Sequence, residues 1–565
     1  MRSGAALSLG LAVLALVAPG CRRPSGPAAA GSDSGRGGVL RLAVQTDIQS
    51  LDPAIAYDTF SWPLVRLVYQ SLLDYDEGTT LVPGLAERLP SISADGRAYT
   101  FRLRRGVRFS NGRELVARDF VYSIERVLDP QTRSPGEGFF RNTRGARAFQ
   151  EARQKDGDLA RERGVTRERW TSPTRVVGLQ EIDRYTLRVE LEAPDLTFLN
   201  IMAMPFASAV PREAVAAYGD QLYCHPVGTG PFTLKEWRRG TRMRFRRNAR
   251  YYVRGQPRLD GVAVMVGGDS VVHQMMFERG ELDLEWEIPL PDFVRIMGDP
   301  KWKPLVDSEL IARTAYLALN CELKPFTDVR VRRAMNYAIN KERVLQIING
   351  RGVVARGVLP PTMPGYDPHL RTYSYDPARA KQLLAEAGYR GGFAVPLWVR
   401  ADTGQEVRIA EAIQQDLAEV GIKADLKTVA FATLIDAMGR RKNVQLGLFG
   451  WSQDYPDPSN FLDVLLRGDR IVEVNCNNAA FYSNPQVDDL LRRAARDTDA
   501  KRRLGIYQQV EQTVVDDAPW VFLLHPLHFT LHQPWLRDHR LHPVWSERYE
   551  GLWLDRSDAA WRRRP

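Results

Sequence analysis

Cysteine is scarce in this chain, with four cysteines among 565 residues. Cys224, Cys321 and Cys476 are separated by long intervals that match no zinc-ligand spacing, and at most one disulfide can form among them. We therefore interpret these three as buried small hydrophobic residues and expect no metal site at them.

Common catalytic motifs are also missing. The sequence has no P-loop, no G-x-S-x-G and no H-E-x-x-H, and Pro231 follows Gly228–Gly230 where a dinucleotide site would need the start of a helix. These absences argue against an enzyme, although a catalytic site can also be assembled from distant positions. An extracytoplasmic hydrolase that uses carboxylates such as Asp454 and Asp457 therefore remains an alternative.

Histidine is rare as well, and the only cluster is His525, His528 and His532. The flanking residues Val521–Leu524 and Phe529 are typical of a strand. In a strand, offsets of three and seven place His528 and His532 on the face opposite His525. We interpret the three as structural or surface residues and predict neither a metal nor a cofactor.

Charge of one sign is not concentrated anywhere along the chain. The formal net charge is +10 and the sequence pI is about 9.4, but basic and acidic residues are interleaved. The densest basic run, Arg562–Arg564, lies at the C-terminus. This pattern favours a solvated surface or weak attraction to anionic lipid over a nucleic-acid partner.

A long hydrophobic run occurs once, from Ala5 to Val17, and it is too short for a comfortable membrane span. Arg2 precedes it, and Cys21 follows in the segment Ala18-Pro19-Gly20-Cys21. This arrangement is similar to a bacterial lipoprotein signal, so we expect residues 1–21 to be the signal, Cys21 the lipidation site and residues 22–38 a flexible tether. Plain secretory cleavage is the alternative, because Ala18 stands where such signals carry a larger aliphatic residue.

Length and aromatic content indicate a large protein with more than one core. A chain of 565 residues with 44% hydrophobic residues exceeds what one compact core contains, so two or more lobes are expected. Twelve Trp, 20 Tyr and 21 Phe would suit both several cores and a wide aromatic cleft.

Strand and helix patterns are mixed along the chain. Alternating apolar residues predict a first strand from Val39 to Thr46. Helix starts are predicted at Asp376-Pro377 and Asn484-Pro485, and further helices from about Gln405 to Gly421 and around Val331–Ile339. The mixture predicts an α/β protein with several lobes.

An ordered set of segments resembles one protein family across the chain from about Val39 to Trp553. The family is the bacterial extracellular solute-binding proteins, family 5, which includes the oligopeptide- and dipeptide-binding components of ABC importers. The segments are Leu51-Asp52-Pro53, Gly84-Leu85-Ala86-Glu87, Tyr99–Val107, Phe109-Ser110-Asn111-Gly112, Asp119–Ser123, Pro226–Phe232, Arg247-Asn248 with Tyr251, Gly280–Asp283, Leu319-Asn320 and Pro325–Arg332.

The resemblance implies a periplasmic binding protein-like α/β fold of the large peptide-binding class. It has two lobes joined by a hinge and an additional inserted domain. We expect the first lobe to comprise residues 39–74, 206–311 and 525–565, the second lobe residues 312–524, and the inserted domain residues 75–205. Ligand would bind between the lobes and close them.

The segment Gly450-Trp451-Ser452-Gln453-Asp454-Tyr455 bears on the ligand. In peptide-binding relatives the residue matching Asp454 pairs with the α-ammonium group of the peptide, and the stretch before it lines the cleft. Gly450, Trp451, Ser452 and Tyr455 are therefore predicted ligand contacts beside Asp454. A desolvated carboxylate suits an ammonium group that every peptide offers. Without the resemblance, Trp451 would be interpreted as core and Asp454 as a turn residue.

Further ligand contacts, for the carboxylate end and the side chains of a peptide, are implied by the resemblance. The resemblance places Arg400, Arg440 or Arg441 as the cation for the ligand carboxylate, and Phe139 and Phe140 near a peptide-facing aromatic position. It implies a monomer in the cell envelope whose partners are a peptide and the permease and ATPase subunits of an importer. A nickel complex, haem or oligosaccharide is the alternative ligand class.

Overall fold

The computed structural model describes residues 37–162, 175–401, 404–559 and 561. The predicted signal, the lipidation site Cys21 and nearly all of the tether lie outside the described residues. Within the described residues, none of the helices combines the length and the apolar character that crossing a bilayer requires.

The described residues form 20 strands and 16 α-helices. The strands are β1 Val39–Val44, β2 Leu73–Tyr75, β3 Leu81–Pro83, β4 Ser91–Ile92, β5 Ala98–Arg102, β6 Leu179–Asp183, β7 Thr186–Glu190, β8 Phe232–Arg238, β9 Arg242–Arg247, β10 Gly261–Val266, β11 Leu284–Glu285, β12 Val306–Leu310, β13 Arg313–Leu319, β14 Gly352–Val354, β15 Phe393–Arg400, β16 Ile422–Val429, β17 Leu446–Ser452, β18 Trp520–His532, β19 Leu536–Arg537 and β20 Trp553–Leu554. The helices are α1 Ser61–Val68, α2 Ala117–Leu128, α3 Glu137–Phe140, α4 Ala146–Glu162, α5 Phe198–Ile201, α6 Arg212–Tyr218, α7 Ser270–Glu278, α8 Leu290–Gly298, α9 Val329–Ala338, α10 Lys341–Ile347, α11 Pro377–Glu386, α12 Gly404–Glu419, α13 Phe431–Met438, α14 Ser459–Leu466, α15 Pro485–Ala494 and α16 Ala500–Asp517.

The predicted helix starts are confirmed. The side chain of Asp376 accepts a hydrogen bond from the backbone N–H of Arg379, and that of Asn484 accepts one from Gln486. These caps satisfy N–H groups that have no partner inside the helix, and the proline that follows each cap has the φ angle that a first turn needs. The predicted helix from about Gln405 is α12, followed by Gly421 with φ of +87°.

One twelve-stranded sheet runs through most of the molecule, in the order β16-β15-β17-β13-β18-β11-β1-β10-β9-β8, with β12 and β14 also paired to β18. We call the part around β1 and β8 to β12 the first lobe, and the part around β13 to β17 the second lobe. Strand β18 belongs to both, because its beginning pairs with β13 and its end with β12 and β11. The chain therefore crosses between the lobes along β18 and between β12 and β13.

A separate antiparallel sheet, β4-β5-β7-β6, lies in the segment that we call the inserted domain. Its core is formed by alternating apolar residues of the strands and by α2, with Phe101, Phe120 and Phe140 fully buried. Tyr455 and Trp545 pack into this same core from distant parts of the chain. The second lobe thus contacts the inserted domain through Tyr455, the residue that follows Asp454.

Candidate functional site

Strand β17 positions the predicted ligand segment. It pairs antiparallel with β13, so that Arg313 lies opposite Ser452 and Ala315 opposite Gly450. A Cβ atom at Gly450 would lie 3.1 Å from Nη2 of Arg313 and 3.2 Å from the carbonyl oxygen of Thr314. Glycine at position 450 therefore lets the Arg313 guanidinium lie directly against the strand backbone.

The loop after β17 holds Asp454 through Asn460, at the start of α14. The side-chain amide of Asn460 donates a 2.9 Å hydrogen bond to Oδ2 of Asp454, and its oxygen accepts bonds of 3.0 Å from the Asp454 backbone N–H and from Nε1 of Trp451. One buried asparagine thus fixes both residues of the predicted site.

Tyr57 approaches Asp454 from the first lobe. Its hydroxyl donates a 2.7 Å hydrogen bond to Oδ1 of Asp454. Burial and the neighbouring carboxylate raise the pKa of Tyr57 well above its usual value, so the phenol keeps its proton and acts as the donor. This contact joins the two lobes at the predicted site.

Asp454 is buried, with 7% of its surface exposed. Burial raises the pKa of its carboxyl to about 6, and the hydrogen bonds from Asn460 and Tyr57 oppose that rise. Among the described residues, no arginine, lysine or histidine forms an ion pair with it. A carboxylate withdrawn from water without a cation is costly, and a positively charged ligand group would offset that cost.

Five aromatic rings from four segments of the chain form a wall beside this carboxylate. Ring centroids of Trp62, Phe139 and Phe206 lie 6.0, 6.3 and 5.5 Å from that of Tyr57. Phe139 also lies 6.4 Å from Tyr455. We call Tyr57, Trp62, Phe139, Phe206 and Tyr455 the aromatic wall; flat apolar surfaces of this kind suit many side chains of a ligand.

Phe140 does not join the aromatic wall. It follows Phe139 in the short helix α3, where successive side chains point in different directions, and it is 1% exposed inside the core of the inserted domain. Of the two predicted phenylalanines, Phe139 is therefore the one whose ring lies near Tyr57 and Tyr455.

Arg400 lies at the end of β15 on the same side of the second lobe as Asp454. Strands β15 and β17 are parallel, with Leu397 beside Leu446, so Arg400 lies about level with Phe449. Its guanidinium carbon is 4.3 Å from the ring centroid of Phe431. Arg313 and Arg400 flank a shared carboxylate, Glu406, at 3.7 and 3.9 Å.

Arg440 and Arg441 lie before β17, at the end opposite Asp454. A strand of seven residues is roughly 20 Å long, which separates them from the site. Arg440 pairs with Asp436 at 2.8 Å on the surface. Arg441 is held at 2.7 Å by Glu322. The structure thus brings Arg400, but neither of these two, toward Asp454.

Asp457 is a support for the loop. Both its oxygens accept hydrogen bonds from the guanidinium of Arg503, at 2.7 and 2.8 Å, and Arg503 also donates to the hydroxyl of Tyr507 at 3.0 Å. A carboxylate occupied in this way by a buried arginine does not form a catalytic pair with Asp454. The geometry therefore weakens the hydrolase alternative.

Two cavities lie away from Asp454. One of about 610 Å³ is an open pocket lined by residues of α2, α3 and α4 of the inserted domain and by the loop between α2 and α3. The other, of about 520 Å³, includes the ion pair of Asp52 and Arg126. Asp454 lines neither of these cavities. Tyr57 of the first lobe and Asn460 of the second both contact its carboxylate.

Sequence reasoning missed Tyr57, Asn460, Arg313 and Phe206. Asn460 follows Pro458 at the start of a helix, a signal that could have identified it as a capping or loop-fixing residue. Tyr57 and Phe206 carry no local signal, since only the tertiary fold brings them to Asp454.

Comparison with known proteins gives consistent matches over most of the chain. The family model described as Bacterial extracellular solute-binding proteins, family 5 Middle, matches residues 80–472. Heme-binding protein A of Haemophilus influenzae is 31% identical over 507 residues, covering 86% of this chain and 87% of that protein. Di/tripeptide-binding protein 2 of Pseudomonas aeruginosa is 29% identical over 538 residues, covering 92% and 95%.

A solved structure matches the fold over almost its whole length. It is the ABC transporter-associated periplasmic binding protein DppA of Helicobacter pylori in complex with the peptide STSA. It superposes with a TM-score of 0.77 at 27% identity, covering 92% of this chain and 99% of that one. The predicted fold class, a two-lobed α/β periplasmic binding protein with an additional domain, is confirmed.

Proposed function

The chain belongs to the bacterial extracellular solute-binding proteins, family 5, and on that basis we propose that it captures peptides between its lobes for an ABC importer. Its predicted domain boundaries, at residues 75, 206, 312 and 525, belong to the same proposal. The relatives compared above are named as binding proteins, and we propose that this chain likewise binds its ligand without converting it.

The observation that carries the proposal is the buried carboxylate of Asp454, which has no cation beside it among the described residues. An α-ammonium group of a peptide would supply that cation in charge-assisted hydrogen bonds, each contributing roughly 1.5–3 kcal/mol. Every peptide with an unblocked amino end offers this group whatever its sequence. Asp454 would therefore give affinity without side-chain selectivity.

The backbone of β17 offers a second, sequence-independent contact. Strand β15 pairs with β17 only at Leu397–Leu446 and Trp398–Gly447 among the described residues. Beyond Gly447, the edge of β17 that faces away from β13 has no paired strand in the described part of the chain. An extended peptide could add to this edge as a strand would, and its side chains would then contact the aromatic wall.

For the carboxylate end of the peptide we propose Arg313 and Arg400. Both guanidinium groups lie near Glu406 at the site end of the second lobe. Arginine suits this role because its planar group can bind a carboxylate through two parallel hydrogen bonds. Glu406 would hold the two side chains in place while the ligand is absent.

Closure of the lobes would bury both charged ends of the ligand. The contact between Tyr57 and Asp454 already bridges the lobes, so the closed arrangement is accessible to the protein itself. A peptide that touches both lobes would favour this arrangement further. We propose that the closed form is recognised by the permease of an importer with its ATPase subunits, and that the chain acts as a monomer outside the cytoplasmic membrane.

We also propose that a lipid on Cys21 anchors the chain. The support is sequence-based: an apolar run from Ala5 to Val17, a cysteine four residues later and a Pro/Gly/Ala/Ser-rich tract after it. A tether of residues 22–38 would let the folded part move above the membrane surface.

Thermal unfolding with a dipeptide panel tests the proposed function. We expect unblocked dipeptides to raise the Tm of the protein and their N-acetylated counterparts to raise it little, because acetylation removes the ammonium group. Asp454→Asn should lose the response. Asp425→Asn, the same change at an exposed carboxylate of the second lobe, should keep it.

Two outcomes would contradict the proposal. Equal stabilisation by acetylated and unblocked peptides would show that Asp454 does not bind an ammonium group. Release of amino acids from the peptides, followed by mass spectrometry, would indicate a hydrolase. Adding hemin in the same assay, with its absorption spectrum as the readout, tests the ligand class that the name of the Haemophilus relative suggests.

A further inference from the structure

A second cluster of polar side chains lies in the first lobe, near the end of β18 that pairs with β11 and β12. Asp307 on β12 is opposite Thr530 of β18, and His532 lies two residues further along β18. Residues two apart in a strand share a face, so Asp307 and His532 are diagonal neighbours. His539, shortly after β19, reaches the same point. One nitrogen or oxygen atom from each of the three side chains lies within 4.8 Å of those from the other two.

The distances within this cluster suit a small cation. Oδ2 of Asp307 is 2.7 Å from Nδ1 of His539 and 3.5 Å from Nε2 of His532. Ligand atoms on a tetrahedral zinc ion lie about 3.3 Å apart, given metal–ligand bonds near 2.0–2.2 Å. Small rotations of the three side chains would bring these atoms from their present distances to the separation that a tetrahedral zinc ion requires.

The outer nitrogens of both histidines already have acceptors. Nε2 of His539 lies 3.0 Å from Oε2 of Glu547, and Nδ1 of His532 lies 3.1 Å from the carbonyl oxygen of Gln533. Metal-bound histidines commonly donate their second N–H to a carboxylate or a backbone carbonyl, which fixes the ring and its tautomer. Both kinds of acceptor are present in this cluster.

The balance of charge also favours a cation. His539 and Glu547 are almost completely buried, and Asp307 adds a second carboxylate beside them. Oε1 of Glu547 has no hydrogen-bond partner in the part of the chain that the structure describes. Both ring nitrogens of His539 lie on carboxylate oxygens, so in this arrangement the ring holds two protons and one positive charge between two carboxylates. A divalent ion that took the place of the proton on Nδ1 would balance both carboxylates.

We propose that Asp307, His532 and His539 form a binding site for a divalent transition-metal ion, with Zn²⁺ as the representative ion. Two imidazoles and one carboxylate are a common zinc donor set and leave a further position for water. The site joins β12 and the end of β18 to the C-terminal segment that follows β19. The ion would therefore tie these three segments together within the first lobe, independently of what binds at Asp454.

Metal titration of the full chain without a polyhistidine tag tests this proposal. After treatment with a chelator, isothermal titration with Zn²⁺ should show one ion per chain with a Kd of about 1 μM or tighter. Zn²⁺ should also raise the Tm. Co²⁺ in its place should give visible absorption bands typical of a low-symmetry site with nitrogen and oxygen ligands.

Two ligand variants and two controls make the result specific. Asp307→Asn and His532→Gln should each weaken Zn²⁺ binding at least about 10–100-fold, with far-UV circular dichroism of the metal-free protein unchanged. His369→Gln removes an exposed histidine elsewhere and should bind as the parent does. Cys224→Ser should also be unchanged, although its thiol lies 3.3 Å from the ring of His225.

The proposal is overturned if the parent protein binds no stoichiometric Zn²⁺, since the cluster is then an ion-pair network alone. It is also overturned if Asp307→Asn and His532→Gln bind Zn²⁺ with the parent affinity. Loss of binding in Cys224→Ser instead would place the zinc at that cysteine.

Discussion

The hydroxyl of Tyr57 donates a hydrogen bond of 2.7 Å to the carboxylate of Asp454, although 397 positions separate the two residues in the chain. Tyr57 belongs to the first lobe and Asp454 to the second, so this bond can form only when the two lobes are in contact at this point. It also supplies a donor to a carboxylate that, among the residues the structure describes, has Asn460 as its one other side-chain partner. The contact therefore links closure of the protein to the protonation and pairing of its proposed ligand-binding group.

Replacing Tyr57 by Phe should destabilise the ligand-free protein. The ring would keep its place in the aromatic wall, but Oδ1 of a buried carboxylate would lose its donor, at a cost of about 1.5–3 kcal/mol. We expect a lower Tm at pH 7.5. Tyr218→Phe, a change at a partly exposed tyrosine, should leave the Tm unchanged and serves as the control. An equal Tm for both variants would show that the bond contributes nothing to stability.

Peptide affinity should depend on pH through Asp454. Burial raises the pKa of its carboxyl to about 6 without ligand, and a bound ammonium group would lower that pKa because it stabilises the charged form. Binding therefore requires loss of the proton below pH 6. Affinity should fall by up to about tenfold for each pH unit below 6 and stay level up to about pH 7.5, where peptide amines begin to lose their own proton.

Isothermal titration of a dipeptide between pH 4.5 and 7.5 measures this dependence. In Asp454→Asn the residual affinity should be independent of pH over this range. A flat profile in the parent protein would mean that the ligand does not need the charged carboxylate.

Arg313→Ala should weaken binding of peptides with an unblocked carboxyl end by about 10–100-fold, the equivalent of one charge-assisted hydrogen-bonded contact. Peptide amides should lose much less, because they offer no carboxylate. Arg440→Ala, at the far end of β17, is the matched control and should bind both ligands normally. Equal losses for acids and amides in Arg313→Ala would indicate that Arg313 only supports the strand.

Arg503→Met should be among the more destabilising single changes near the site. It would leave the buried carboxylate of Asp457 without its partner, at a cost of about 3–5 kcal/mol. The neighbouring Arg502 pairs with Asp497 on the surface, so Arg502→Met should have little effect. Chemical unfolding of the two variants compares them directly; similar stabilities would remove Asp457 as the support of the loop.

Cys21→Ser should abolish membrane anchoring. In bacteria that express the parent chain, mass spectrometry should find a diacylglycerol thioether on Cys21, and fractionation should place the protein with membranes. The variant should be released in soluble form or remain unprocessed. Parent protein that is cleaved but carries no lipid would instead establish ordinary secretion.

The sequence by itself determined the local structure and the family. Asp376 and Asn484 cap helices through backbone groups two or three residues away, so their role is readable from a short pattern. The resemblance likewise located Asp454 and its neighbours, because they are consecutive in the chain. Tertiary structure alone decided which distant groups meet there: Tyr57 reaches Asp454, Arg440 and Arg441 lie beyond the other end of β17, and His539 meets Asp307. Contacts of this kind depend on how lobes and strands pack over long sequence separations, and no local periodicity records them.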